Sequence, residues 1–355
     1  MSLILPILQA FISFQCLFAI MYLVASKKLD RMPNKLVLTL FIVLAVQMSF
    51  NLGNQFFWPD SLPPFSFGLA LFYGPVFYLY LLSLIYQDFQ WTQRCWWHLA
   101  PGIACTLSIA VYKPDALANA LAILSSLSIY TALSFQRMLR YQQVIRATQS
   151  EFDRIALGWV MYLLVVMTIA LVFNIATVVL SFYYVNQKLA ILSEASVLFT
   201  LLIMVNSFLL KGLLHPEIFA GINHEDETLV DDQATKYQAS ALDVKRQQVL
   251  QKRLLEHMDL VQPYLNPMFN IKLLSRQLGE PVRHVSQVIN TCLNENFSDF
   301  VSRYRIEHIK TRLLDQDETR SITDLYQDFG FSTKSNFNRA FKKHTGVTPS
   351  DFRKS

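Results

Sequence analysis

The side chains best suited to specific chemistry in this 355-residue chain stand in two basic stretches near its C-terminus. In PVRHVSQVINTCL, Arg283, Gln287 and Asn290 fall on one side of a helical wheel, opposite Val282, Val285, Val288, Ile289 and Cys292. In STKSNFNRAFKK, Ser335, Asn338, Arg339 and Lys342 oppose Phe337, Ala340 and Phe341. A helix with one apolar face and one Arg/Asn/Gln/Lys face fits the major groove of double-stranded DNA, where Arg reads guanine and Asn or Gln reads adenine. Lys343, with Lys342 and Asn290, suits phosphate oxygens, which position a protein on DNA but carry no sequence information. An ordinary solvated helix presents the same face, so the elements that hold these residues must decide between the two readings.

Other chemistry finds little support. No nucleophile stands beside a base, and neither an HExxH-type metal site nor a phosphate loop occurs. We expect no catalytic residue, no metal and no cofactor. The four cysteines, Cys16, Cys95, Cys105 and Cys292, are far apart and lack CxxC spacing, so they read as small apolar side chains.

The elements around the basic stretches form a repeated unit. NIKLLSRQL carries apolar residues at 271, 274 and 278 and stops at Gly279, and Pro281 then opens the helix bearing Arg283. A longer helix follows in NFSDFVSRYRIEHIKTRLL, with Phe297, Phe300, Val301, Tyr304, Ile309 and Leu313 inward and Arg303, Arg305, Lys310 and Arg312 among its polar positions. The pattern then recurs: SITDLYQDF buries Ile322, Leu325 and Phe329, Gly330 ends it, and the helix bearing Asn338 follows. Upstream, Leu242, Leu250, Leu254, Met258 and Val261 suggest one amphipathic helix over 240–263, whose apolar stripe either dimerises or caps the next domain.

Two helix-turn-helix units joined by a long helix, with the spacing I-x-x-L-Y-x-x-x-G-F-x-x-x-S-x-F-x-R-x-F-K-K-x-x-G-x-T-P-S-x-F-R from Ile322 to Arg353, resemble the C-terminal DNA-binding domain of the AraC/XylS transcriptional regulators. The resemblance covers about 255–354. It implies base reading by Arg283, Ser286 and Gln287 in the first unit, and by Lys334, Ser335, Asn338 and Arg339 in the second. Two positions depart from that pattern: Tyr326 and Ser275 stand where the family usually has Ala, and Tyr326 must swing to an edge or tilt the second unit.

The preceding chain is of another kind. Only 16% of all residues are charged and 53% are hydrophobic, and of the 31 Lys and Arg, 12 precede His215 and 19 follow it. A bilayer core needs about 20 mostly apolar residues per helix, and seven stretches approach that: 3–25, 36–58, 66–87, 97–112, 116–136, 156–184 and 189–210. The fourth is short and broken by Pro101 and Gly102; the third should kink near Pro75. The first lacks the basic n-region of a signal peptide and is expected to remain as an anchor. With the N-terminus outside, seven spans leave Lys27, Lys28, Arg31, Lys35, Arg94, Arg137, Arg140, Arg146, Arg154 and Lys211 on the cytoplasmic side, and only Lys113 and Lys188 outside. That distribution obeys the positive-inside rule.

The expected architecture is therefore all-α: a seven-helix membrane domain over 1–214, a linker and connector helix over 215–254, and an AraC-type DNA-binding domain over 255–355. Asn51, Asn54, Gln55 and Glu194 near the outer face, with Asn174 and Asn206 deeper, read either as a ligand pocket opening outward or as helix–helix hydrogen bonding. GPVFYLYLLSL and LLHPEIFAGI resemble phrases of a subgroup in which a multi-span domain replaces the usual cytoplasmic effector domain, and that resemblance implies a bacterial inner membrane. The expected function is a membrane-embedded, sequence-specific transcription regulator, its membrane domain a sensor or an anchor. Its expected partners are promoter DNA, the lipid bilayer and RNA polymerase, with a small-molecule or envelope signal and a homodimer left open. The rival reading is a membrane enzyme or transporter regulated by its C-terminal helices.

Overall fold

The structure is a computed structural model that describes residues 4–25, 29–57, 65–109, 116–151, 156–183, 187–213, 222, 226–227, 243–314, 320 and 322–353. Among these residues every regular element is a helix, in keeping with the all-α expectation. The chain divides into two compact units: Met1–Met138 with Gly158–Gly221, and Leu139–Leu157 with Ile222–Ser355.

The first unit contains α1 (Ile4–Ala25), α2 (Met32–Phe56), α3 (Phe65–Ala70), α4 (Tyr73–Ile85), α5 (Gln93–Ile109), α6 (Ala116–Thr148, as far as Met138), α7 (Gly158–Tyr183) and α8 (Gln187–Ser207). Among the described residues, six segments are long and apolar enough to cross a membrane: Ile4–Ala25, Met32–Phe56, Phe67–Ile85, Leu117–Thr148, Gly158–Leu180 and Lys188–Leu210. The fourth stretch of the sequence reading is α5, with 17 residues and Pro101 inside it. At about 1.5 Å per residue it is roughly 25 Å long, shorter than a full span, and it is not among the six. The kink expected near Pro75 falls just before it, at Leu71–Phe72, between α3 and α4.

Polar pairs tie these helices together. Ser13 and Ser49 meet at 3.3 Å, Gln15 Nε2 donates to Asn206 Oδ1 at 3.3 Å, and Ser193 Oγ donates to Asn174 Oδ1 at 2.6 Å. Where neighbours carry small residues, backbones approach closely: a Cβ on Gly68 would lie 2.4 Å from the Thr106 hydroxyl of α5. Phe208 fills the space between Phe41, Phe77, Tyr80 and Trp159 with edge-on ring contacts.

The second unit holds the last turns of α6 from Leu139 and the segment after it, then α9 (Val244–Val261), α10 (Ile271–Leu278), α11 (Val282–Gln287, extended by a π-type turn to Cys292), α12 (Phe297–Leu313), α13 (Ile322–Asp328), α14 (Lys334–Thr345) and α15 (Pro349–Phe352). The connector helix of the sequence reading is α9. Its stripe of Leu250, Leu254 and Met258 docks into a core shared with Leu274, Val285, Val288, Ile289, Phe297 and Phe300. Val261, placed on that stripe by the periodicity, is instead exposed, and Leu242 lies outside the described residues. A second core joins Ile306, Ile309 and Leu313 of α12 to Leu325, Phe329, Phe331, Phe337 and Phe341. Helix α12 thus contributes to both cores, which is how one long helix fixes two helix-turn-helix units.

Candidate nucleic-acid interface

Each unit is set by its caps. Asn270 caps α10 through a bond from the Leu273 amide, and Gly279, at φ +66°, ends it with its own amide and that of Glu280 returning to Arg276 and Ser275 carbonyls. Thr333 caps α14 by accepting from the Asn336 amide at 3.2 Å, and Asn296 caps α12 by accepting from Asp299 at 2.9 Å. Gly330, at φ +79°, closes the turn between α13 and α14; a Cβ there would stand 2.7 Å from the Tyr264 carbonyl oxygen and 2.9 Å from that of Leu265. Glycine is required twice over at this turn, by its backbone angle and by the approach of a neighbouring loop.

In the second unit the amphipathic reading of α14 is realised. Phe337 and Phe341 are buried, while Lys334, Ser335, Asn338, Arg339, Lys342 and Lys343 are all exposed. Lys343 Nζ forms an ion pair with Asp299 Oδ1 at 2.6 Å, a partly solvated contact. Tyr326 neither opens the core nor leaves it. Its ring stacks on Phe337 with centroids 6.4 Å apart and planes 16° from parallel, so it extends the floor of the helix at one edge. Ser275, the other departure, is accommodated by donating its hydroxyl to the Glu280 carbonyl.

The first unit differs from expectation. Arg283 and Asn290 are partly exposed, but Ser286 and Gln287 are only 5% and 4% exposed. Every residue from Val285 to Ile289 is buried, so α11 is enclosed on its polar side as well as its apolar side. Helical periodicity fixes which side meets the hydrophobic core; it carries no information on what covers the other side. Asn290 Nδ2 donates to the Ser286 hydroxyl at 3.3 Å, holding two of the polar residues to one another.

Arg305 corrects a second expectation. It is fully buried rather than on the polar face of α12, and its guanidinium makes four hydrogen bonds: Nε donates to the Tyr264 carbonyl at 2.7 Å, one terminal nitrogen to Glu151 Oε1 at 3.3 Å, and the other to the Ser150 hydroxyl at 3.3 Å and the Asn266 carbonyl at 3.0 Å. Glu151 in turn accepts from the Ser332 amide, at 3.1 Å, and from its hydroxyl. Burial pulls the guanidinium down to about 10, against the opposing pull of Glu151, so it stays charged at neutral pH. The signal was present in the sequence: Arg305 stands four residues after Val301 and four before Ile309, on the apolar stripe. Arg303, its neighbour, is the surface cation, bidentate to Glu295 at 2.9 Å. Nothing in the spacing pointed to Ser150 or Glu151.

The last turn of α6 also brings a cation, Arg146, close to α14. Arg146, Ser150 and Glu151 line a polar cleft of about 280 Å³ together with Asn336, Arg339 and Lys343. Burial and the neighbouring Arg146 charge both lower the Arg339 guanidinium from its ordinary value.

These two units, their cores and their turns define a helix-turn-helix module, and comparison with known proteins agrees. Residues 274–355 match the family model described as a helix-turn-helix domain, so the C-terminal part of the chain is a helix-turn-helix domain of the AraC type. Over 95 residues the chain is 34% identical to uncharacterized HTH-type transcriptional regulators of Staphylococcus aureus strains MSSA476 and N315, covering 27% of this chain and 12% of each of those. Over 92 residues it is 29% identical to the uncharacterized transcriptional regulatory protein YesN of Bacillus subtilis strain 168, covering 26% of this chain and 21% of that one. The match therefore spans only a small part of these relatives. No solved structure matches the chain.

Proposed function

We propose that this chain is a membrane-embedded, sequence-specific DNA-binding transcription regulator. The observation that carries the reading is α14, whose Phe337 and Phe341 are locked into the core while Lys334, Ser335, Asn338 and Arg339 are exposed on the opposite face. In this reading Lys334, Ser335, Asn338 and Arg339 read base edges, and Lys342 and Lys343 hold phosphates. In the first unit Arg283 reads directly, Asn290 faces a phosphate, and Ser286 and Gln287 engage bases once they are uncovered.

The membrane half of the proposal rests on composition and exposure. Helix α1 has no charged side chain, and Ile7, Phe11, Phe14, Phe18 and Met21 form an exposed apolar stripe that lipid would cover. The charge distribution supports seven crossings, with α5 as the short one. Six crossings with the basic loop at Arg31 and Lys35 kept inside would carry the C-terminal module outside, away from DNA. With seven, the N-terminus lies outside and the reading units lie in the cytoplasm of a bacterial cell, tethered to its inner membrane. RNA polymerase is the partner such a regulator acts upon, and the seven-helix unit senses rather than merely anchors, since one span suffices for a tether.

The test uses the full chain in lipid nanodiscs against a library of promoter-length duplexes. The expected result is selection of a common sequence, with affinity falling steeply as salt rises. Arg339→Ala should cost about 1–3 kcal/mol and relax the preference at one position, whereas Lys342→Ala should weaken all sequences alike and lower the salt slope by about 1. Binding without any selected sequence would overturn the reading.

A further inference from the structure

The polar residues of the apolar unit, scattered along the sequence, converge on one cavity of about 760 Å³ among α1, α2, α4, α6, α7 and α8. Its walls are apolar, including Ile123, Leu127, Met167, Leu171, Leu201 and Met204. Gln9, Asn54 and Glu194 are among its polar residues. Gln9 lies in the first turns of α1, Asn54 in the last turn of α2 and Glu194 in the second turn of α8, so alternating helix direction brings all three to the same end.

The hydrogen bonds at that end define what is missing. Gln9 is 4% exposed, and its Nε2 donates to Glu194 Oε1 at 3.1 Å. That bond fixes the amide, leaving Gln9 Oε1 buried with no donor among the described residues; Asn54 Oδ1 is buried and unpartnered in the same way. Several other polar groups are committed: Gln47 Oε1 accepts from the Tyr73 hydroxyl, Asn174 Oδ1 accepts from Ser193 at 2.6 Å, and the Thr200 hydroxyl donates to the Ser196 carbonyl, while Asn51, Gln55 and Thr131 complete the polar lining. Among the described residues, no Lys, Arg or His lines the cavity. What remains is a carboxylate, with two orphan acceptors on its neighbouring lining residues, and no cationic side chain among the described lining residues to meet them, whereas buried groups of this kind call for a donor and a countercharge.

We propose that this cavity binds an amphiphilic organic cation, its ammonium group donating to Glu194, Gln9 and Asn54 and its apolar body lying along the α6–α8 walls. The volume falls in the range of small-molecule sites, and the long apolar wall favours an alkyl or aryl body over a bare metal ion. The assignment deepens the sensing role proposed above. Its test reads ligand binding alone, so it fails or stands independently of DNA recognition.

The experiment measures binding of radiolabelled n-decylammonium to the full chain in zwitterionic nanodiscs, with empty nanodiscs as the baseline. Competition by n-decanol and n-decanoate separates the charge from the tail. Saturable binding of one decylammonium per chain is expected, displaced by unlabelled amine but not by equal concentrations of the alcohol or the carboxylate. Glu194→Gln should weaken it by about tenfold to a hundredfold, the worth of a charge-assisted hydrogen bond. Asn54→Leu, which leaves Glu194 and Gln9 in place, should weaken it about threefold to tenfold and serves if the first variant does not remain monodisperse. Linear, unsaturable uptake like that of empty discs would overturn the proposal, as would equal competition by decanoate or unchanged affinity in both variants.

Discussion

Arg305 and Glu151, 154 residues apart in sequence, meet at 3.3 Å in a pocket that excludes water from the guanidinium. The pair joins the segment that follows α6 to the helix shared by both helix-turn-helix units, and through Ser332 to the turn that precedes α14. A buried charge pair of this kind adds little net stability over an apolar substitute, but breaking one partner is costly. Arg305→Met, which strands Glu151 together with the Tyr264 and Asn266 carbonyls, is expected to cost about 3–5 kcal/mol. Glu151→Gln, which turns one acceptor into a donor facing Ser332 N–H, should cost about 1–3 kcal/mol. The double variant should cost less than the sum of the two. Native-state hydrogen exchange of the α12 and α14 amides reads all three, and protection unchanged in both single variants would refute the coupling.

The two turn glycines separate conformational strain from collision. Gly279 sits at φ +66° with nothing within 4 Å of a would-be Cβ, whereas Gly330 at φ +79° would strike two carbonyl oxygens. Gly279→Ala should cost about 1–2 kcal/mol from the left-handed backbone alone. Gly330→Ala adds a packing penalty of about 1–3 kcal/mol to the same strain. Urea titrations with exchange read separately over α10 and α13 will show the difference; equal losses at the two sites would contradict the close approach of the Tyr264–Leu265 loop.

Accessibility distinguishes the two reading faces. Cysteine placed by Asn338→Cys should react with a water-soluble maleimide close to the rate of an unstructured peptide, and cysteine placed by Gln287→Cys should react slower by about tenfold or more, as buried thiols do. Specific DNA should protect the first. Equal rates at the two positions would mean that α11 is as open as α14.

Topology can be read with reporter fusions. Alkaline phosphatase joined after Lys113 should be active, since α5 crosses to the outer side in the seven-span arrangement, while fusions after Arg94 and after Gln149 should be inactive and a fluorescent protein at Ser355 should fluoresce. An inactive Lys113 fusion would place α5 on the cytoplasmic surface and break the proposed count.

Much of this was legible in the sequence, for identifiable reasons. The helices of the second unit announce themselves because a 3.6-residue period and the stop and start signals at Gly279, Pro281 and Gly330 act locally. The exposed face of α14 followed from the same period. Long-range relationships did not: nothing local connects Glu151 to Arg305, or Gln9 to Glu194, since each depends on where the chain returns. The burial of Ser286 and Gln287 was not legible, because periodicity sees one side of a helix at a time. Arg305 was misjudged despite a usable clue, a charge standing on an apolar stripe. Asn51, Asn54 and Glu194 were singled out for the cost of polarity in lipid, and the structure gathers them on one cavity, while Asn206 bonds to Gln15 and to the Leu202 carbonyl.

The central claim is that the full chain selects promoters from its place in the membrane through α14. Its most direct test is genome-wide occupancy mapping of the full-length protein in bacterial cells, compared with the Asn338→Ala/Arg339→Ala variant at equal abundance in the membrane fraction. The account predicts discrete promoter peaks that share one sequence motif and vanish in the variant. An absence of peaks, or peaks that survive the double substitution unchanged, would contradict it.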